Sequence, residues 1–181
     1  MITTRPLTLR RSEKFKQAYD HIAQKIDEIY KDLTKSTSFP VGGTAYLTAE
    51  NTDEPYLDGI KYNAMPPMKR FRDMEQLSGG EKTVAALALL FAIHSYHPSP
   101  FFVLDEVDAA LDNANVAKVA AYMRRRTSKL NALPGEPACQ FIVISLKHSL
   151  YEKAHRLVGI WRDKQDTGSK VLTMNLEDYP E

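Results

Sequence analysis

The chain has 181 residues, 43% of them hydrophobic, a formal net charge of +1 and one cysteine, Cys139; that is enough for one sizeable core and suits a single domain, while the net charge decides little. One thiol excludes an internal disulfide framework and fits a reducing interior such as cytosol or nucleus. No apolar run approaches the roughly 18–20 residues that cross a bilayer, and the opening MITTRPLTLRR lacks the apolar segment of a signal peptide, so a soluble intracellular protein with no membrane partner is expected.

In chain order, Phe15, Tyr19, Ile22, Ile26, Ile29, Tyr30 and Leu33 recur at helical spacing between charged residues, which predicts an amphipathic helix from about Ser12 to Lys35. It reads either as a surface helix packed on its own domain or as the root of a coiled coil, and about three heptads do not decide between them. A Pro/Gly turn in FPVGG leads to an alternating strand from Thr44 to Ala49, and GIKYNAMPP reads as its hairpin-like partner beyond a loop. VAALALLFAI, residues 84–93, predicts a helix buried on most sides, stopped by HPSP. FFVL then reads as a short strand in a parallel sheet covered on both faces. A helix from about Asn113 to Ser128, a strand in QFIVIS and two strands in LVGIWR and KVLTMNL complete the chain. Helices alternating with apolar strands indicate an α/β layer fold.

Two stretches carry chemistry. FFVLDEVDAALD runs an apolar strand straight into Asp105 and Glu106, placing two carboxylates at the carboxyl end of a strand, where open α/β folds bind ligands. A solvated loop is the bland alternative, but adjacent carboxylates beside a buried strand repel each other unless a cation or a proton-transfer role compensates. Mg²⁺ takes few protein oxygens and completes its shell with water and phosphate, so Asp105 suits it. Glu106 is then available to orient and deprotonate a water attacking a γ-phosphate.

The second stretch, QLSGGEKT at residues 76–83, is no phosphate-cradling P-loop: Glu81 separates Gly80 from Lys82, and G-x-x-x-x-G-K-[ST] occurs nowhere in the chain. Ser78 and Glu81 instead form a capping box at a helix entrance. Two successive glycines raise the entropy cost of that first turn, yet leave backbone N–H groups uncovered at the positive end of a helix, where a phosphate can approach.

LSGGEKT followed by an apolar strand, Asp-Glu and AALD resembles the signature motif, Walker B strand and D-loop of ABC-type ATPases. The longer run KRFRDMEQLSGGEKTVAALALLFAIHSYHPSPFFVLDEVDAALD is similar to the carboxyl-terminal half of SMC (structural maintenance of chromosomes) ATPase heads, most like the first-subunit branch of eukaryotic cohesin. The resemblance extends from about Val41 onward and is most specific from Lys69 to Asp112. It implies the carboxyl-terminal lobe of an ABC-type P-loop ATPase head with a mainly parallel sheet and flanking helices, preceded by a coiled-coil root helix. The division it implies is 1–38 for the root helix and its extension and 39–181 for the lobe.

By the same resemblance, the P-loop lies in a separate amino-terminal lobe. Asp105 corresponds to the Walker B aspartate that holds Mg²⁺ through water, Glu106 to the catalytic glutamate and Asp112 to the D-loop aspartate, a role compatible with capping the next helix. Ser78, Gly79, Gly80 and Glu81 reach in trans to ATP bound by a second SMC head. The implied partners are the amino-terminal lobe, that second head, the kleisin carboxyl-terminal winged-helix domain and DNA; the implied location is the nucleus, on chromosomes. Where many ABC enzymes carry a histidine after the next buried strand, this chain has Leu146, with the solvated His148 beyond it. The terminal strands around Leu157–Arg162 and Val171–Leu176 are the place to seek kleisin, with Trp161 and Tyr151 as core or interface residues. KRFR at 69–72 and RRR at 124–126 are the basic clusters available to DNA phosphates, although such runs are more often solvated faces. The alternatives are a lobe acting mainly as a kleisin-docking module, or the equivalent lobe of a condensin or DNA-repair coiled-coil ATPase.

Overall fold

The computed structural model describes residues 5–69, 74–127, 138–164 and 168–179. Helix α1, Arg5–Thr34, starts earlier than its apolar periodicity indicates and buries only its carboxyl-terminal part. There Ile26, Ile29, Tyr30 and Leu33 lie in the core. At its end Thr34 Oγ1 donates to Tyr30 O (2.6 Å) and accepts from Gly43 N (2.8 Å), which folds the turn back onto the helix. Gly42 sits at φ +76°, where a side chain would be strained and a Cβ would meet Lys31 O at 2.6 Å. The chain then enters β1, Thr44–Ala49, which pairs antiparallel with β2, Ile60–Met65, in the register Thr44↔Met65 to Ala49↔Ile60. Asp27 Oδ1 accepts from Ala45 N (3.1 Å) and Tyr19 donates to Leu47 O (3.1 Å), so α1 is tied to this hairpin.

Helix α2, Gly79–Tyr96, begins at the glycines, as the Ser78 capping box indicates, and buries Val84, Ala85, Leu87, Ala88, Phe91, Ala92 and His94. Tyr62 of β2 donates to Ala85 O at 3.0 Å, and burial pushes that phenol above its ordinary pKa of 10.0. Strand β3, Phe101–Asp105, pairs in parallel with β4, Gln140–Ile144, and between them runs α3, Asn113–Thr127. This strand–helix–strand unit is the arrangement a parallel pair requires. Phe91 of α2 stacks on Tyr122 of α3 (centroids 4.9 Å apart) and meets Phe102 and Phe141 edge-on at 6.1 and 6.0 Å, so the aromatic centre of the core joins both helices to one face of the β3–β4 pair. A single turn, α4 (His148–Tyr151), leads to β5, Arg156–Arg162, antiparallel to β6, Ser169–Asn175.

Two expectations are corrected. The sheet is not mainly parallel: among the described residues there are three two-stranded pairs, and only β3–β4 is parallel. Nor is β3 covered on both faces. Phe101, Val103, Ile142 and Ile144 are 54, 57, 46 and 53% exposed, whereas Phe102, Leu104, Phe141 and Val143 face the helices. Strand alternation explains the split: an all-apolar string predicts that both sides avoid water, but the described residues cover one side only. Val158, Ile160, Trp161, Val171 and Leu172 on β5–β6 are exposed as well, which places Trp161 outside the core.

Candidate functional site

Ser78 caps α2 with extended backbone (φ −64°, ψ 161°). Its hydroxyl accepts from Glu81 N at 3.3 Å, and Glu81 Oε2 accepts from Ser78 N at 2.9 Å, the reciprocal capping box read from LSGGE. Lys69 Nζ lies 2.6 Å from Glu81 Oε1. Partial desolvation works to raise the Glu81 pKa, but the Lys69 hydrogen bond and those from Ser78 outweigh it and hold the carboxyl below its ordinary 4.5. The two glycines differ. A Cβ on Gly79 would find only Ala110 Cβ at 3.9 Å, so the first turn of α2 is open at this point, whereas a Cβ on Gly80 would stand 2.9 Å from Ala110 O. Gly80 therefore permits close approach of the loop that follows β3, while Gly79 leaves room for an incoming group.

That loop, residues 106–112, carries the acidic residues. Asp105 ends β3 opposite Ile144, and its side chain and that of Glu106 are exposed. Glu106 adopts φ +47°, a left-handed conformation costly for a residue with a side chain; Glu106 N donates to Ile144 O (2.9 Å). Two tight turns follow, with Ala109 N donating to Glu106 O and Leu111 N to Asp108 O, each at 3.0 Å. Asp112 then caps α3, its Oδ1 accepting from Asn115 N at 2.8 Å. The structure thus brings Gly79 and Gly80, in the turn capped by Ser78 and Glu81, against Ala110 of the loop that joins Asp105 and Glu106 to Asp112.

Three side chains beneath the loop carry no motif signal. Asp108 is 2% exposed and its Oδ2 accepts from Ser145 Oγ at 2.6 Å. Ser145 Oγ also accepts from Lys147 N (2.9 Å), and Lys147 Nζ donates to Asp108 O (2.7 Å) and to Leu111 O. A charged residue inside the apolar string VDAAL is the one sequence sign of this cluster; its partners lie 37 and 39 residues away along the chain. Leu146 points outward, 88% exposed, and His148 Nδ1 lies 2.9 Å from Glu152 with its side chain mostly in solvent.

The basic cluster on α3 is occupied within the molecule. Arg124 donates to Lys153 O at 2.6 Å, Arg125 lies 3.6 Å from Asp32 and over the Tyr122 ring, and Arg126 is buried. Residues 70–72 of the other cluster lie outside the described residues. No group of three His, Cys, Asp or Glu side chains gathers among the described residues, so a cation here would rest on one carboxylate completed by water and substrate oxygens. That donor set suits Mg²⁺, and the open first turn of α2 suits a phosphate.

A glycine-opened, serine-capped helix abutting an acidic loop at the carboxyl end of a parallel strand places this chain among α/β folds with a site open to a phosphate and a cation. The family model described as RecF/RecN/SMC N terminal domain matches residues 11–169, and the chain belongs to this SMC family, with the fold of an SMC ATPase head. It is 62% identical over 172 residues to Structural maintenance of chromosomes protein 1 of Schizosaccharomyces pombe and 55% identical over 175 residues to the protein of that name from Saccharomyces cerevisiae. Each match covers 95% of this chain, which spans 13 and 14% of those relatives' length. Among solved structures it is similar to a chain from a study of ATP-driven dimerization and DNA-stimulated activation of SMC ATPases (TM-score 0.74, 33% identity, 92% of this chain and 91% of that one). It is also similar to the Pyrococcus furiosus Smc head bound to the carboxyl-terminal domain of ScpA (TM-score 0.78, 32% identity, 96% of this chain and 39% of that one).

Proposed function

We propose that this chain is the carboxyl-terminal half of a split ATPase head in a cohesin-type SMC1-like subunit, with residues 1–38 as the coiled-coil root and 39–181 as the lobe. The observation that carries this reading is the contact of the Ser78–Gly80 turn with the loop bearing Asp105, Glu106 and Asp112, in a chain that has no P-loop of its own. One end of the loop serves the nucleotide held by the chain's own amino-terminal lobe, and the turn meets the nucleotide of a second head.

In this scheme Asp105 holds Mg²⁺ through water, and the ion, when bound, neutralises charge on the triphosphate. Glu106 orients the attacking water and accepts its proton. Ser78 offers its hydroxyl, and Gly79 its uncovered backbone, to the γ-phosphate of the opposite head, while Glu81 keeps the cap in shape and Asp112 sets the start of α3. Because both heads share the γ-phosphate, ATP pairs them and hydrolysis frees them. The exposed apolar strands β5 and β6 are the face offered to the kleisin winged-helix domain. The structural relative solved with the ScpA carboxyl-terminal domain supports kleisin binding by the head. The assembled complex acts on DNA in sister-chromatid cohesion, in the nucleus.

The test uses the chain mixed with a separately expressed amino-terminal lobe and the partner head. The chain alone is expected to show no ATP turnover, and the mixture to restore it. In the mixture, Glu106→Gln is expected to keep ATP-dependent pairing and stop hydrolysis, whereas Ser78→Arg blocks pairing. Turnover by the isolated chain at the rate of the mixture refutes the split site.

A further inference from the structure

The loop that presents Glu106 and Asp112 does not hold itself. Its first residue is in the left-handed region, a conformation that persists only when its surroundings determine it. Between the two carboxylates the backbone turns twice and directs the carbonyls of Asp108 and Leu111 at one ammonium, that of Lys147. The Lys147 head has three donors and no acceptor, so two carbonyls convert a flexible amine into a fixed two-point tie. The same residue's backbone N–H donates to Ser145 Oγ, which in turn donates to the almost fully buried carboxylate of Asp108. The tie therefore runs from the end of β4 into both turns of the loop, and opposite charges enter the half-buried cluster together, which limits the cost of taking either out of water. On its other side the loop touches Gly80 through Ala110 O.

We propose that Lys147 is a positioning residue for hydrolysis: its ammonium, with Ser145 and Asp108, sets the loop so that Glu106 meets the attacking water, and touches neither nucleotide nor metal. This rests on the ATPase reading given above. Removing the tie slows the chemical step far more than it weakens nucleotide affinity, because Ser78 and Gly79 are held by the capped first turn of α2 and not by the loop.

The experiment measures steady-state ATP turnover, nucleotide-dependent head pairing and melting temperature on the full-length SMC protein assembled with its partner. Lys147→Met keeps the aliphatic stem and removes the donors; kcat is expected to fall about tenfold or more, since small misplacements of reacting groups cost rates of this size. KM for ATP and head pairing are expected to stay within about twofold. Lys147→Arg, which restores donors, recovers most of kcat. Parental kcat in Lys147→Met overturns the inference, as does a kcat that falls only in step with melting temperature and is not rescued by Arg. If Lys147→Met does not fold, Ser145→Ala removes one hydroxyl donor and carries the same expectation, an unchanged kcat again overturning the inference. Glu106→Gln in the same assay separates the two readings. Turnover surviving that change sinks the general-base role of Glu106 in the proposed function, whereas turnover lost with Glu106→Gln but intact with Lys147→Met sinks only the tie.

Discussion

At the scale of single residues, Glu81 shows how one carboxylate serves two ends. It closes the cap on α2 through Ser78 N and meets Lys69, two contacts that favour its ionised form over its own partial desolvation. A depressed folded-state pKa gives a stabilisation that is whole above pH 4.5, the ordinary value, and is lost as pH falls through the lower folded value. The melting temperature of Glu81→Gln should accordingly lie below that of the parent at neutral pH, and the gap should close in acid. A gap independent of pH would show that the ionised carboxylate is not what stabilises the cap. The capping box was legible because Ser78 and Glu81 are three residues apart; Lys69 was not, since its contribution depends on how the chain folds back after β2. The unequal duties of Gly79 and Gly80 were likewise hidden, because they depend on where Ala110 O comes to rest.

At the scale of elements, helix and strand types followed closely from periodicity, while extents and coverage did not. The start of α1 lies seven residues before the expected Ser12, because its first turns follow no core that would mark them with apolar spacing. The pairing of β1 with β2 was readable from alternation, but what makes it rigid is the tight turn before it. A Cβ on Gly43 would collide with Met65 O and would stand 2.7 Å from the Tyr30 ring. Backbone and a buried aromatic cannot both give way, so Gly43→Ala should cost about 1–3 kcal/mol, the range for overpacked interiors, measured by chemical denaturation. A neutral result would mean that α1 and the hairpin can part without consequence.

At the scale of the whole molecule, the split head proposed above predicts a sheet face that awaits a cover, and one face of β3–β4 is exposed. Phe101, Val103, Ile142 and Ile144 form an apolar surface on a parallel pair, a class of sheet that is ordinarily buried on both sides. The string FFVL predicts a strand covered on both faces; alternation cannot reveal that one of those faces is exposed among the described residues. The isolated chain should therefore bind an apolar fluorescent dye and self-associate, and the amino-terminal lobe should suppress both; dye binding unchanged by that lobe would show that it docks elsewhere.

The bare side of the β3–β4 pair also has a consequence in the cell. While Phe101, Val103, Ile142 and Ile144 stay exposed, the chain displays the greasy patch by which chaperones and proteases sort polypeptides.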